Sequence, residues 1–396
     1  MGQYLGRAVV LAVIVFSSAV RAGGEIYGTV TTTRGDTFTG PIRWDSQENF
    51  WSDTLDGRKP VSSAEPDADD GFRFSLFGWE LINTKSNSRT YPEFSVPFGY
   101  LKAVVPGGSG SVLLELKDGT RLTVEGPSTD FAGDLELAID DIEEGRVVLP
   151  WRGIARVEFA QGPGQGRDRE RLYGTVKTET REFTGFVVWD RDESLLDDVL
   201  DGEERGRERE IAMGEIASIE PDGASAAIVR TKAGAELRLS GTNDVNDDMR
   251  GVIVTLDGVG RVEVGWDELK RVDFREAPTS PRYAAFDGGK RLRGTVHERD
   301  GRAYSGAITW DMDESYTWEF LDGESDRVVY AVPLSHVRSI APVGDRSAEV
   351  VLADGKILRL SGTNDVDERN KGVMITAADG SETILDWSAI ERVEFD

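Results

Sequence analysis

The apolar positions of this chain alternate. Phe183, Gly185, Val187 and Trp189 share one parity, with Thr184, Phe186 and Val188 on the other. The same two-residue period runs through Phe38, Gly40, Ile42 and Trp44, and through Tyr304, Gly306, Ile308 and Trp310. Further on, Val262, Val264 and Trp266 alternate, as do Thr383, Leu385 and Trp387. A period of two sends successive side chains to opposite faces of a sheet, so these windows predict half-buried strands. No window sustains the 3.6-residue period of an amphipathic helix, and helices are expected only as single turns. A glycine on the apolar face in mid-strand packs nothing, so Gly40, Gly185 and Gly306 predict points where a coiled strand bends.

These windows are copies of one unit. Gly-Thr-Val begins at Gly28, Gly174 and Gly294, and each is followed by an aromatic-x-Gly run that ends in Trp-Asp, at Trp44, Trp189 and Trp310. Copies two and three stay in register without a gap: Gly241-Thr242-Asn243-Asp244-Val245 matches Gly362-Thr363-Asn364-Asp365-Val366, Trp266 matches Trp387, and Phe274 matches Phe395. Copy one follows more loosely through Gly126, Trp151 and Phe159. Repetition at a fixed period marks tandem units. The expected repeats occupy 23–160, 171–276 and 290–396, joined by a Gly-rich linker at 161–170 and a Pro/Gly-bearing one at 277–289.

Each copy divides into two halves that end alike. Front halves close on Leu101 to Pro106, Ile216 to Pro221 and Val337 to Pro342; rear halves close on Ile154, Val157 and Phe159 and their counterparts. An apolar residue, a step of three and an alternating pair read as one tight helical turn leading into a final strand. The front half, with its Gly-Thr-Val strand, Phe-Thr-Gly-x-Val-x-Trp-Asp run and closing φ-x-x-φ, resembles an SH3-like barrel of the Sm-like type. That resemblance implies a fold: all-β, with three tandem repeats each made of two small SH3-like β-barrel halves. It carries over no functional residues, because the Asp and Asn pattern with which Sm-like proteins hold RNA is not reproduced after Asp190 or Asp311.

The first 22 residues read as a cleaved leader. Arg7 supplies the positive end, Ala8 to Phe16 the apolar core, and Val20-Arg21-Ala22 the small residues of a cleavage site. The apolar run is shorter than the ~20 residues a membrane-spanning helix needs. The chain has no Cys, so it is neither a lipoprotein nor disulfide-bonded, and the expected location is the periplasm or outside the cell.

The chain carries 72 Asp and Glu against 46 Lys and Arg, a formal net charge of −26. Nucleic acid and anionic membranes are bound through clustered cations, so both are disfavoured partners. A protein or cell-envelope partner is expected, with solubility as the simplest use of the charge.

Three patterns invite chemistry. Asp244, Asn246 and Asp248 stand at the first three ligand spacings of a calcium loop, but Met249 and Thr255 occupy the places where such a loop needs Gly and Glu. The alternative is an Asx turn in which the Asn243 and Asp244 side chains bond nearby backbone N–H groups and fix a loop between strands. The acidic run Trp189-Asp190-Arg191-Asp192-Glu193 recurs at Trp310 to Glu314 and reads either as paired carboxylates or as a solvated strand end. Copy one is longer between Gly40 and Leu101 than its sisters are over the matching span, and the extra stretch, about 58–91, carries Phe72, Phe74, Phe77 and Trp79. An elaboration present in one copy is where a specific partner site is most easily grafted; the alternative is an enlarged hairpin covering an edge.

The two histidines, His297 and His336, both lie in copy three without the partners of a hydrolase or zinc site. The expectation is therefore a non-catalytic, exported scaffold or binding protein without a cofactor. Calcium or envelope polysaccharide is the alternative ligand.

Overall fold

The computed structural model describes residues 24–44, 48–57, 94–107, 110–124, 131, 135–163 and 170–396. The leader, the insertion with Phe72, Phe74, Phe77 and Trp79, and most of the first linker lie outside the described residues. Strand makes up 56% of the chain and helix 9%, so the all-β expectation holds. The described helical pieces inside the strand runs are single three-residue turns, such as Met213–Glu215 and Leu334–His336.

The strands fall into three stretches of ten. The first holds Tyr27–Thr32 (β1), Thr37–Trp44 (β2), Thr54–Gly57 (β3), Phe94–Pro97 (β4), Leu101–Pro106 (β5), Val112–Leu116 (β6), Arg121–Val124 (β7), Glu136–Asp141 (β8), Gly145–Pro150 (β9) and Ile154–Phe159 (β10). The second holds Tyr173–Lys177 (β11), Glu182–Val188 (β12), Val199–Glu204 (β13), Arg207–Ala212 (β14), Ile216–Pro221 (β15), Ala226–Thr231 (β16), Glu236–Ser240 (β17), Val252–Leu256 (β18), Gly260–Val264 (β19) and Arg271–Arg275 (β20). The third holds Arg293–Glu298 (β21), Ala303–Thr309 (β22), Phe320–Ser325 (β23), Val328–Pro333 (β24), Val337–Pro342 (β25), Ser347–Leu352 (β26), Ile357–Ser361 (β27), Val373–Thr376 (β28), Glu382–Leu385 (β29) and Ile390–Phe395 (β30).

All ladders are antiparallel. In the second stretch they run β14–β13–β17–β16–β15–β20–β11–β12–β18–β19. The third stretch repeats this order from β24 to β29, and β19 pairs with β24, so twenty strands form one ladder. The first stretch keeps β7–β6–β5–β10–β1–β2–β8–β9 as one sheet, with β3–β4 as a separate ribbon. Among the described residues no ladder closes on itself. The expected halves are therefore not separate small barrels: strands of the front half pair with strands of the rear half, as β12 does with β18 and β11 with β20.

The reason lies in paired glycines. Gly174 faces Gly185 across β11 and β12, and Gly294 faces Gly306 across β21 and β22. A Cβ on Gly185 would sit 2.2 Å from the carbonyl oxygen of Thr255, and one on Gly306 2.2 Å from that of Thr376. The missing side chains let a rear-half strand close against the front half instead of bending the front half into its own ring. Gly185→Ala is expected to force these strands apart at a cost of about 3 kcal/mol, the upper range for overpacking, read by chemical denaturation.

The three-residue apolar step that closes each front half is a β-bulge, not a helical turn. The register of β15 on β16 shifts between Ile216 and Ser218, and that of β25 on β26 between Val337 and Ser339. One extra residue lets Ile216 and Ile219 both face inward. The single helical turn lies just ahead, at Met213–Glu215.

The second and third stretches share one apolar core that runs from Leu172 to Val393; the first has its own, which Trp318 of the third enters. The predicted strand tryptophans Trp44, Trp151, Trp189, Trp266, Trp310 and Trp387 are all buried. The junctions differ. Between the first and second stretches, Asn49 Nδ2 donates to Ser194 Oγ at 3.0 Å and Arg43 pairs with Asp198 at 3.3 Å. Between second and third, backbone pairs do the work, Val262 opposite Tyr330.

Candidate functional site

The two acidic motifs of the second copy, far apart in sequence, meet in space. Trp189 ends its strand in a tight turn: the Asp192 N–H donates to the Trp189 carbonyl at 2.9 Å, and Asp190 and Arg191 take φ of 48° and 57°. Short polar Asp tolerates that left-handed region better than most residues, which fits the motif's fixed Asp. The turn aims the Asp190 carboxylate at the 241–250 loop. Asn243 Nδ2 donates to one oxygen at 2.5 Å, and the Arg250 backbone N–H donates to the other at 2.5 Å. Asp244 Oδ2 accepts the Asp201 N–H at 2.8 Å, and Trp189 Nε1 donates to the Asp244 carbonyl at 3.0 Å. Loop, turn and β13 are thereby clasped together.

The third stretch has the same clasp. Asp311 accepts from the Asn364 amide and the Lys371 backbone N–H, Asp365 accepts the Asp322 N–H at 2.7 Å, and Trp310 Nε1 donates to the Asp365 carbonyl at 3.1 Å. In the first stretch the matching Asp45 and Gly126 lie outside the described residues.

The loop with the calcium spacing holds an Asx turn, made by Asn246 and not by the expected Asn243 and Asp244, which bond to Asp190 and Asp201 instead. Asn246 Oδ1 accepts the Asp248 N–H at 2.8 Å, while Asp244 turns inward to Asp201. Asp244 and Asn246 thus point their oxygens at two different backbone donors. Among the described residues no group of three His, Cys, Asp or Glu side chains is placed to hold a metal ion.

The clasps are electrostatically unusual. Burial, and then the Asp244 carboxylate, pushes Glu193 up to about 8, and burial raises Asp244. Burial likewise pushes Asp311 up to about 6 and Asp365 well above the carboxylate range. Asp322 is pushed up to about 7 by burial, opposed by Arg261 of the second stretch and reinforced by Asp56 of the first. Arg261 Nη1 donates to Thr54 Oγ1 at 2.6 Å, so all three stretches meet at this point. His336 is pushed down by burial, and His297 Nε2 lies 3.2 Å from Glu394; the two do not share a site with the clasps. A small, partly open cavity between the first and second stretches is lined by Arg43, Asn49, Arg146 and Leu195 and has room for water.

Sequence reasoning missed two groups of residues. Arg171 is only 1% exposed and pins the first junction: its guanidinium reaches Asp53 at 2.7 Å and Ser52 at 2.8 Å, between the rings of Phe50 and Phe186. The stretch 277–289 is no free linker. Its Tyr283 ring lies 4.4 Å from Trp51, the Tyr283 hydroxyl donates to the Leu101 carbonyl at 2.7 Å, and Lys117 Nζ donates to the Phe286 carbonyl at 2.7 Å. The available signal was Tyr283 and Phe286 themselves, two aromatics in a Pro/Gly setting with no strand period to use them.

No helix among the described residues is long and apolar enough to cross a membrane. No family model matches the chain, and no curated protein matches it. Among solved structures a streptogramin B lyase is similar over 75% of this chain and 94% of that one, at 12% identity and a TM-score of 0.16. That score carries no argument about fold or activity.

Proposed function

We propose that this chain is an exported, non-catalytic scaffold or binding protein built of three tandem copies of a ten-stranded unit, at 23–160, 171–276 and 290–396. The leader at 1–22 delivers it to the periplasm or beyond, and a protein or cell-envelope partner is taken by the aromatic insertion of copy one, with Phe72, Phe74, Phe77 and Trp79 as contacts. The observation that supports this most is how the carboxylates are used. The best candidate acidic groups, Asp190, Asp244, Asp311 and Asp365, accept from backbone and amide N–H groups of segments distant in sequence, which is the work of staples between a turn, a loop and a strand rather than of an acid and base aimed at a substrate. The recurrence of one clasp in two stretches fits a unit copied for shape. The insertion belongs to copy one alone, as expected of a part added for recognition.

The test is retention of exported proteins from the native host on the immobilised mature chain, set against a variant lacking 58–91. A partner bound by the full chain, lost with the deletion and lost again on Phe74→Ser/Trp79→Ser supports the reading. Retention unchanged by the deletion sinks it, provided both chains melt alike.

A cation-binding role has one observation in its favour. The buried Glu193 Oε2 has no hydrogen-bond partner and lies near Asp244, Asp192 and Asp190, the last two paired with Arg250. Calcium or magnesium at millimolar level should then raise the melting temperature, since a ligand that binds only the folded state stabilises it. The scaffold reading expects no shift.

A further inference from the structure

The strand that joins the second stretch to the third has a counterpart in the first that, among the described residues, pairs with one neighbour only. β19 lies between β18 and β24, whereas β9, its equivalent, pairs only with β8 among the described residues. Matching by the hairpin registers sets Gly145 against Gly260, Arg146 against Arg261 and Val148 against Glu263. β9 therefore offers an unpaired backbone edge, and Val148 on it is 50% exposed. Arg146 and Pro150 guard the two ends of this edge, and Val148 leaves an apolar side chain exposed between them.

We propose that β9 takes β14 of a second copy of this chain, in the antiparallel register by which β19 takes β24. Three features favour this. The first is clearance. A Cβ on Gly260 would lie 2.5 Å from the Ala331 carbonyl oxygen, and Gly145, which like Gly260 has a positive φ, leaves the same room with nothing within 4 Å, whereas Ser381 stands at the matching place just ahead of β29.

The second feature is charge. β24 is apolar and covered, but its equivalent β14 carries Arg207-Glu208-Arg209-Glu210 along an edge that pairs only with β13 among the described residues. Transferring the β19–β24 register sets Arg146 opposite Glu210 and lets the Arg209 stem lie along Val147. The third feature is exclusivity. Two β14 strands related by a two-fold axis keep their faces, so residues of like parity meet, arginine against arginine and glutamate against glutamate. That pairing repels. β14 is thus shielded from itself yet matched to β9. A contact between different patches of two copies is head-to-tail, so it closes into a ring or extends as a chain. The assembly is independent of whatever partner the insertion captures.

Sedimentation velocity of the mature chain across a concentration series tests this. The sedimentation coefficient is expected to climb with concentration for the wild type. Val148→Glu, which the same register sets opposite Glu208, should hold it at the monomer value throughout, with an unchanged melting temperature. Glu210→Arg should weaken association roughly tenfold by setting like charges opposite each other, and Arg146→Glu in the same chain should restore it. A wild type that stays monomeric at every concentration overturns the proposal, as does association that survives Val148→Glu. Loss on Val148→Glu without any effect of Glu210→Arg also overturns it, because it assigns the contact to two β9 strands meeting about a two-fold axis.

Discussion

Arg171→Ala is expected to lower stability by about 3–5 kcal/mol and to split a single melting transition into two. Arg171 is a buried cation whose partners come from the other side of a junction: Asp53 and Ser52 hold its nitrogens, and the Phe50 and Phe186 rings flank its plane at 4.4 and 4.3 Å. Removing one member of a buried pair leaves the other charge desolvated and opens a void between two rings. The second and third stretches share a core that the first does not, so the first should melt separately once the pin is gone. Arg171→Lys should recover only part of the loss, since an ammonium cannot reach Asp53 and Ser52 together while stacking flat on the rings. Calorimetry decides this. One transition at the wild-type temperature would remove Arg171 from the junction.

Asp322→Asn is expected to stabilise the chain at pH 8 and to leave it unchanged at pH 4. The carboxyl of Asp322 is pushed up to about 7, by burial first, with Asp56 adding to the effect and Arg261 opposing it. Asp365, itself raised, is the other carboxyl that faces it, through the Asp322 N–H. A raised carboxyl favours the protonated form in the folded state. Its contribution is complete below the unfolded value near 4 and is lost as pH rises through 7. Asn keeps the shape without the charge, so the gain at pH 8 should be on the order of 2 kcal/mol. Glu193 and Asp311 act in the same direction, so the wild type should melt higher at pH 5 than at pH 8. A wild-type melting temperature that rises steadily from pH 5 to pH 8 would refute this placement of the charge.

Much of the fold was legible because strand period and glycine spacing are local signals. Phe183 to Trp189 alternates in the sequence and in the sheet, with Phe183, Val187 and Trp189 all buried. The path of the ladders was not legible. Whether β12 pairs with β18 or turns back into its own half depends on what the face of Gly185 meets, and that is the Thr255 carbonyl, far along the chain. The step from Ile216 to Ile219 misled because a bulge and a helical turn both restore facing after three residues.

At the candidate site the sequence supplied both motifs, Asp190 and Asn243-Asp244, but not their meeting. Side-chain amide to carboxylate contacts have no period to betray them. Arg171 and Tyr283 were hidden for the opposite reason: each lies in or beside a stretch whose composition reads as a linker.

The strap at 277–289 governs the order in which the chain can mature. The Tyr283 hydroxyl reaches the Leu101 carbonyl across 182 residues, and the same ring covers Trp51. A chain that emerges N-terminus first completes its first ten strands while the segment that seals them is still unmade. Until it arrives the indole side of that domain stays open to water and to neighbours. Maturation is therefore retrospective: the second domain must finish before the first is sealed, and any truncation ahead of Tyr283 would release a first domain with its seam exposed.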